Sequence, residues 1–154
     1  MKTVGGTAEG PEPTEGDAAP GMPRTLNVIG CGNLGRTLCR LWHDSGTFRI
    51  GCIRNRSLES AKEAAAFIGG GTPVADAAGL TSAEVTLLAT PDDAIEEAAE
   101  RFAQSGVLRP GDLVFHASGS LSSAILTPVR AAGAHVGSVH PIHSFADPAS
   151  VSSR

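Results

Sequence analysis

The residues whose spacing most directly suggests chemistry are three glycines, in the string Gly30-Cys31-Gly32-Asn33-Leu34-Gly35. They follow a short apolar run at 26–29 and lead into a helical pattern. A glycine turn in that context is an anion site. Gly30 allows a tight turn off the strand, and Gly32 lets a diphosphate approach the backbone without meeting a side chain. Gly35 lets the helix pack closely, while N–H groups at the helix start face the phosphates, and Cys31, Asn33 and Leu34 are further expected cofactor contacts. The ligand class this implies is a dinucleotide.

About 20 residues past such a turn, a site selective for NAD carries Asp or Glu to bind the ribose 2′-hydroxyl. This chain has Arg54-Asn55-Arg56-Ser57 there. A carboxylate would repel a 2′-phosphate, whereas two guanidiniums and a hydroxyl would hold it through charge-assisted bonds. The expected cofactor is therefore NADP(H). The alternative is that Arg54 and Arg56 are solvated loop residues and Ser57 only begins the next helix.

Three further loops carry residues able to work on a bound substrate. Ala89-Thr90-Pro91 follows an apolar run and is expected to pass beside the cofactor; a plain turn with proline opening a helix is the alternative. His116-Ala117-Ser118-Gly119 and His140-Pro141 end two later strands. Hydride transfer needs an acceptor atom held against the nicotinamide ring and a group that protonates or polarises it. His140, Ser118 and His116 are the candidates. The competing reading makes each histidine a satisfied strand-end or loop residue. The chain lacks a phosphate-loop Gly-x-x-x-x-Gly-Lys motif and a Gly-x-Ser-x-Gly elbow. His140 and His143 have no Cys or Glu nearby to complete a zinc set, so no metal site is expected.

The elements that must position these loops alternate. Strands are predicted at 26–29, 48–53, 72–74, 85–89, 113–117 and 135–139, with helices after the glycine turn, over 58–68, from the Asp92 region to Gln104, and over 121–132. Leu34, Leu38, Leu41 and Trp42 are expected on the sheet-facing side of the first helix. Residues 85–89 are apolar throughout, as in a strand covered on both faces. Pro73 suits an edge strand. The pattern predicts a doubly wound α/β fold: six parallel strands in the order 3-2-1-4-5-6, helices on both faces, and every strand ending on one rim.

Composition sets the outer limits. At 154 residues with 41% hydrophobic content, one globular domain is expected. Residues 1–24, rich in Gly, Pro, Glu and Thr, read as a disordered leader; 25–148 form the domain, and 149–154 a tail. A net charge of −4 with 4% aromatic residues and no tyrosine argues against a nucleic-acid surface. No apolar run is long enough to span a bilayer and no secretory signal is evident, so a cytoplasmic location is expected. Cys31, Cys39 and Cys52 form no disulfide framework and read as small packing residues. Apolar surface on an unpaired face would allow a homodimer.

Together, the glycine turn, Asn55-Arg56-Ser57, Ala89-Thr90-Pro91-Asp92, His116-Ala117-Ser118-Gly119 and His140-Pro141 resemble the N-terminal half of the Rossmann-like/DUF2520 proteins. That group is similar to pyrroline-5-carboxylate reductases, coenzyme F420-dependent NADP oxidoreductases and the 6-phosphogluconate dehydrogenase-like superfamily. The resemblance covers roughly 26–148. It implies NADP binding and an oxidoreductase role on a small carbonyl or imine, completed by a helical C-terminal domain expected to begin near the tail. His140-Pro141 also looks like the His-Pro segment of prephenate dehydrogenases, where that histidine lies near substrate. The other function class left open is a module that binds or senses NADP(H) without catalysis.

Overall fold

The computed structural model of the chain describes residues 22–118 and 120–139. Residues 1–21 of the expected leader, Gly119, His140 and the expected tail lie outside the described residues. Ten elements follow one another, strands alternating with helices except between β3 and β4: β1 (Arg24–Ile29), α1 (Asn33–Ser45), β2 (Phe48–Arg54), α2 (Leu58–Ile68), β3 (Thr72–Val74), β4 (Val85–Leu88), α3 (Ile95–Ala103), β5 (Leu113–His116), α4 (Thr127–Ala131) and β6 (His135–Ser138). Arg24, assigned above to the leader, is the first residue of β1. All pairings are parallel, and the order is β3-β2-β1-β4-β5-β6. The doubly wound sheet predicted from the alternation is the fold observed, with β3 and its Pro73 at one edge.

Each face of the sheet has its own core. On one side Leu26, Val28, Ile50, Ile53 and Leu87 pack under α1 and α2, meeting Cys39, Ala61, Ala64 and Ile68. On the other, Ile29, Leu88 and Val114 meet Ile95, Ala99 and Phe102 of α3 and Leu126 and Val129 around α4. Strand residues buried on both sides explain the continuous apolar runs. Trp42 extends the first core by edge-on contact with Phe48, at 5.3 Å, and Phe115, at 6.2 Å. Leu41 departs from expectation: it stays exposed, and Gly35, Leu38, Cys39 and Trp42 form the face that packs.

Ile50 and Ile53 share a face although they stand three positions apart, which a regular two-residue strand period forbids. An irregularity between β1 and β2 accounts for it: the register passes from Leu26↔Ile50 to Val28↔Ile53. Asn27 fills the extra space. Its Oδ1 accepts the Cys52 N–H at 2.8 Å, and its Nδ2 donates to the Thr81 carbonyl at 2.7 Å. Gly51 is required there, since a Cβ would stand 2.5 Å from Asn27 Oδ1. The bulge keeps β2 facing correctly up to Arg54, where its loop begins.

Two predicted helices begin later than the sequence suggested. Asp92–Ala94 and Ser123–Leu126 are single 3₁₀ turns ahead of α3 and α4. Pro91 precedes the first of these turns, and Pro128 lies in the first turn of α4, where a backbone donor is not needed.

Candidate functional site

Between β1 and β4 the chain leaves the sheet toward opposite faces, to α1 on one side and α3 on the other. A crevice opens there, as it must where strand order reverses. It holds a cleft of about 770 Å³ whose walls include Gly30, Gly32, Asn33, Leu34, Arg56, Ser57, Ala89, Thr90 and Pro91. Nearly every residue expected to hold a cofactor is thus gathered from the separate loops after β1, β2 and β4.

The three glycines occupy three distinct environments. Gly30 has φ +80°, and a Cβ on it would meet Thr90 Cγ2 at 2.4 Å and the Thr90 backbone N at 2.7 Å. Only glycine combines that left-handed backbone with that approach. A Cβ on Gly32 would meet nothing within 4 Å, so its surface is open to the cleft. Gly35 lies against Cys31 Sγ and Ala89 Cβ, with a Cβ there 3.3 and 3.4 Å away, which brings α1 close to the end of β4. No side chain caps α1 at Gly32. The start of this 13-residue helix therefore presents its positive end to the cleft.

The rim is stitched to its neighbours by backbone. Gly30 N–H donates to the Arg54 carbonyl and Ala89 N–H to the Ile29 carbonyl, both at 2.8 Å. Asn55 adds a side-chain clamp: Oδ1 accepts the Cys31 N–H, while Nδ2 donates to the Cys31 carbonyl at 3.2 Å and to Ser60 Oγ at 2.9 Å. Its amide is spent within the protein, so it positions the turn. Ser57 caps α2, its Oγ accepting the Ser60 N–H at 3.1 Å, which leaves the hydroxyl hydrogen to donate elsewhere. The helix-start reading of Ser57 is the one observed.

A second hollow of about 360 Å³ continues past Gly30 and Thr90, between Arg54, Arg56, Ala75 and α3. Arg54 Nε and Thr90 Oγ1 are buried there without a hydrogen-bond partner. On the main cleft, the Nε of Arg36 is likewise buried without a partner, and one of its terminal nitrogens lies 3.8 Å from Glu63. Sequence reasoning passed over Arg36; its place one residue beyond Gly35, in the first turn of α1, was the available signal. Buried donors without partners cost stability unless something else satisfies them. An anion in the cleft would.

The substrate-side candidates separate. His116 is fully buried at the end of β5, with Nδ1 accepting the Ser118 N–H at 3.1 Å and Nε2 lying 2.9 Å from the Ser122 carbonyl. A carbonyl only accepts, so the neutral Nε2–H form satisfies both contacts. No ring nitrogen is left for a substrate; His116 braces its loop. Ser118 is also buried, and its Oγ accepts the Ser120 N–H at 3.2 Å. Ser120 Oγ in turn donates to Asp92 Oδ2 at 2.7 Å, joining the β5 loop to the β4 loop at the cleft wall. Hydrogen bonds from Ser120, then Ser118, hold the Asp92 carboxyl below its ordinary range, against an opposing effect of burial. The sequence reading treated Asp92 only as a helix-start residue and did not single out Ser120. His140 lies outside the described residues.

Cys31, on the cleft wall, is itself buried, as are Cys39 and Cys52. Hydrogen bonding to Cys31, then burial, then repulsion from Cys31 push the Cys39 thiol up, keeping it protonated. Among the described residues no group of His, Cys, Asp and Glu could hold a metal ion, and no helix is long and apolar enough to cross a membrane.

This arrangement fits a nicotinamide dinucleotide on the observations above: an uncapped helix start, a glycine face open to the cleft, and buried donors without partners. Similar folds are known. A candidate NADP oxidoreductase from Bacteroides fragilis superposes with a TM-score of 0.67 at 25% identity, over 80% of this chain and 45% of that one. A prephenate dehydrogenase from A. aeolicus, solved with hydroxyphenyl propionate and NAD+, gives 0.64 at 18% identity over 80% and 43%. A pyrroline-5-carboxylate reductase from Coxiella burnetii gives 0.54 at 23% identity over 68% and 38%. The chain thus spans less than half the length of these neighbours. No curated protein matches it in sequence. A family model described as a Rossmann-like domain matches residues 11–141, and the chain belongs to that family.

Proposed function

We propose that this domain binds NADP(H) and supplies the cofactor half of an oxidoreductase acting on a small carbonyl or imine, with the substrate side closed by a further domain. Bound there, the cofactor would supply hydride chemistry. The chain's own residues would bind and orient it. The start of α1 at Leu34 and Gly35, reached across the open face of Gly32, would take the diphosphate, Arg54, Arg56 and Ser57 the 2′-phosphate, and Ala89, Thr90 and Pro91 would line the opposite wall.

The observation that carries the reading is the pairing of an open glycine turn with Arg54 and Arg56 at the end of β2, where an NAD-selective site would carry a carboxylate. The unpartnered Arg54 Nε adds a donor awaiting an acceptor. The resemblance to Rossmann-like/DUF2520 proteins supports the same cofactor. Calorimetric titration tests it: NADPH should bind at least about tenfold tighter than NADH, and Arg56→Ala should erase most of that difference, about 1.4 kcal/mol per tenfold. Equal affinities in the unaltered protein would end the NADP reading.

The second reading, a binding module without catalysis, is favoured by His116, whose ring is wholly engaged in its own loop. Assays with NADPH over a panel of imines and ketones separate the two. Turnover sensitive to Ser118→Ala or His140→Ala supports the enzyme. Tight NADPH binding without turnover, even with a partner domain supplied, supports the module.

A further inference from the structure

Strand order gives the main cleft two electrically different sides. β1 lies between β2 and β4, so the glycine turn stands between the loop after β2 and the loop after β4. The β2 side carries Arg56, and the β4 side carries Asp92. Among the described residues no arginine or lysine pairs with Asp92; its neighbour is the Ser120 hydroxyl, 2.7 Å from Oδ2. The exposed carboxylate is thus held by Ser120, ionised and unneutralised, on the wall of the cleft.

A dinucleotide with its diphosphate on the turn and its 2′-phosphate on the β2 side must send its nicotinamide half toward the β4 side. That half changes charge during the reaction: the oxidised ring is a cation and the reduced ring is neutral. Resting on the cofactor reading above, we propose that Asp92, held by Ser120, biases the cleft toward the oxidised cofactor by favouring the cationic ring. A fixed charge discriminates between ligands that differ by one charge and little else, and part of the discrimination fades with salt. Asp92 is a specificity-determining residue in this view, and Ser120 a positioning residue that acts through it.

Binding alone tests this, without turnover. The affinities of NADP+, NADPH and adenosine 2′,5′-bisphosphate, which lacks the nicotinamide half, are measured by calorimetry for the unaltered chain and for Asp92→Asn. Asparagine retains an oxygen to accept from Ser120. The expected result is a loss of about three- to tenfold in the preference for NADP+ over NADPH, the size of one partly screened charge pair, with bisphosphate affinity unchanged. Ser120→Ala should move the same ratio in the same direction by less. Raising salt from about 0.02 M to about 0.5 M should shrink the bias in the unaltered chain and leave Asp92→Asn nearly flat. An unchanged ratio in Asp92→Asn with both forms still bound overturns the proposal, as does an equal change in bisphosphate affinity. Should the unaltered chain prefer NADH, the NADP reading fails by itself, and the ratio is read with NAD+ and NADH. Binding of neither dinucleotide overturns both.

Discussion

The side-chain amide of Asn55 and the backbone of Cys31 bind each other twice, Oδ1 accepting the Cys31 N–H and Nδ2 donating to the Cys31 carbonyl at 3.2 Å. One side chain from the loop after β2 thereby holds both backbone polar groups of one residue in the glycine turn after β1. The turn keeps its shape because a neighbouring loop completes its hydrogen bonds.

Asn55→Ala removes that clamp and leaves a partly buried N–H without a partner. The expected cost is about 1–3 kcal/mol in denaturant unfolding, accompanied by about tenfold weaker NADPH binding although Asn55 donates nothing to the ligand. Unchanged stability together with unchanged affinity would show that the turn holds itself.

Gly30 and Gly32 should respond in opposite ways to one methyl group. Gly30→Ala places a Cβ 2.4 Å from Thr90 Cγ2 at φ +80°. It should lower stability by about 2 kcal/mol or more, since left-handed backbone alone costs ~1–2 kcal/mol. Gly32→Ala adds a methyl to open space and should leave the melting temperature nearly unchanged while weakening NADPH severalfold. Thermal melts beside titrations of the two variants check this, and equal destabilisation of both would contradict it.

His116→Ala strands the Ser118 N–H and the Ser122 carbonyl and opens a cavity in a fully buried position. A loss of about 3 kcal/mol is expected. His116→Asn, which keeps an acceptor for the Ser118 N–H, should recover part of it. Adenosine 2′,5′-bisphosphate affinity should be the same in all three proteins. Unaltered stability in His116→Ala would mean the ring does not brace the loop.

All three cysteines are buried, and the Cys39 thiol is held protonated by Cys31 and its surroundings. A thiol reagent at neutral pH should therefore label the folded chain slowly and all three sites rapidly in denaturant. NADPH should slow labelling of Cys31 further, because Cys31 belongs to the cleft wall. Fast labelling of the native protein at Cys39 would be incompatible with the packing described.

The alternation of elements, the sheet order and the glycine turn were legible in the chain because each rests on a local pattern. Apolar runs such as Val85–Leu88 mark strands covered twice, and right-handed crossovers leave few ways to order them. Arg54, Arg56 and Ser57 could be placed by counting from the turn, since strand and helix lengths fix how far the chain travels. Leu41 was misjudged because the packing face of α1 is centred on Gly35, Leu38, Cys39 and Trp42, which leaves Leu41 on its exposed flank.

What the sequence determined, then, was which loops meet: strand polarity alone sends the ends of β1, β2, β4 and β5 to one rim. Which atoms on that rim remain available was decided by tertiary structure. Asn55 looks like a ligand contact in the chain and is consumed by Cys31; His116 looks like a proton donor and is consumed by Ser118 and Ser122; Asp92 looks like a helix-start residue and faces the cleft beside Ser120. The physical reason is that hydrogen bonds are short and directional, and their partners here come from loops as many as 28 residues apart. No pattern within a single segment records which of those partners is reached first.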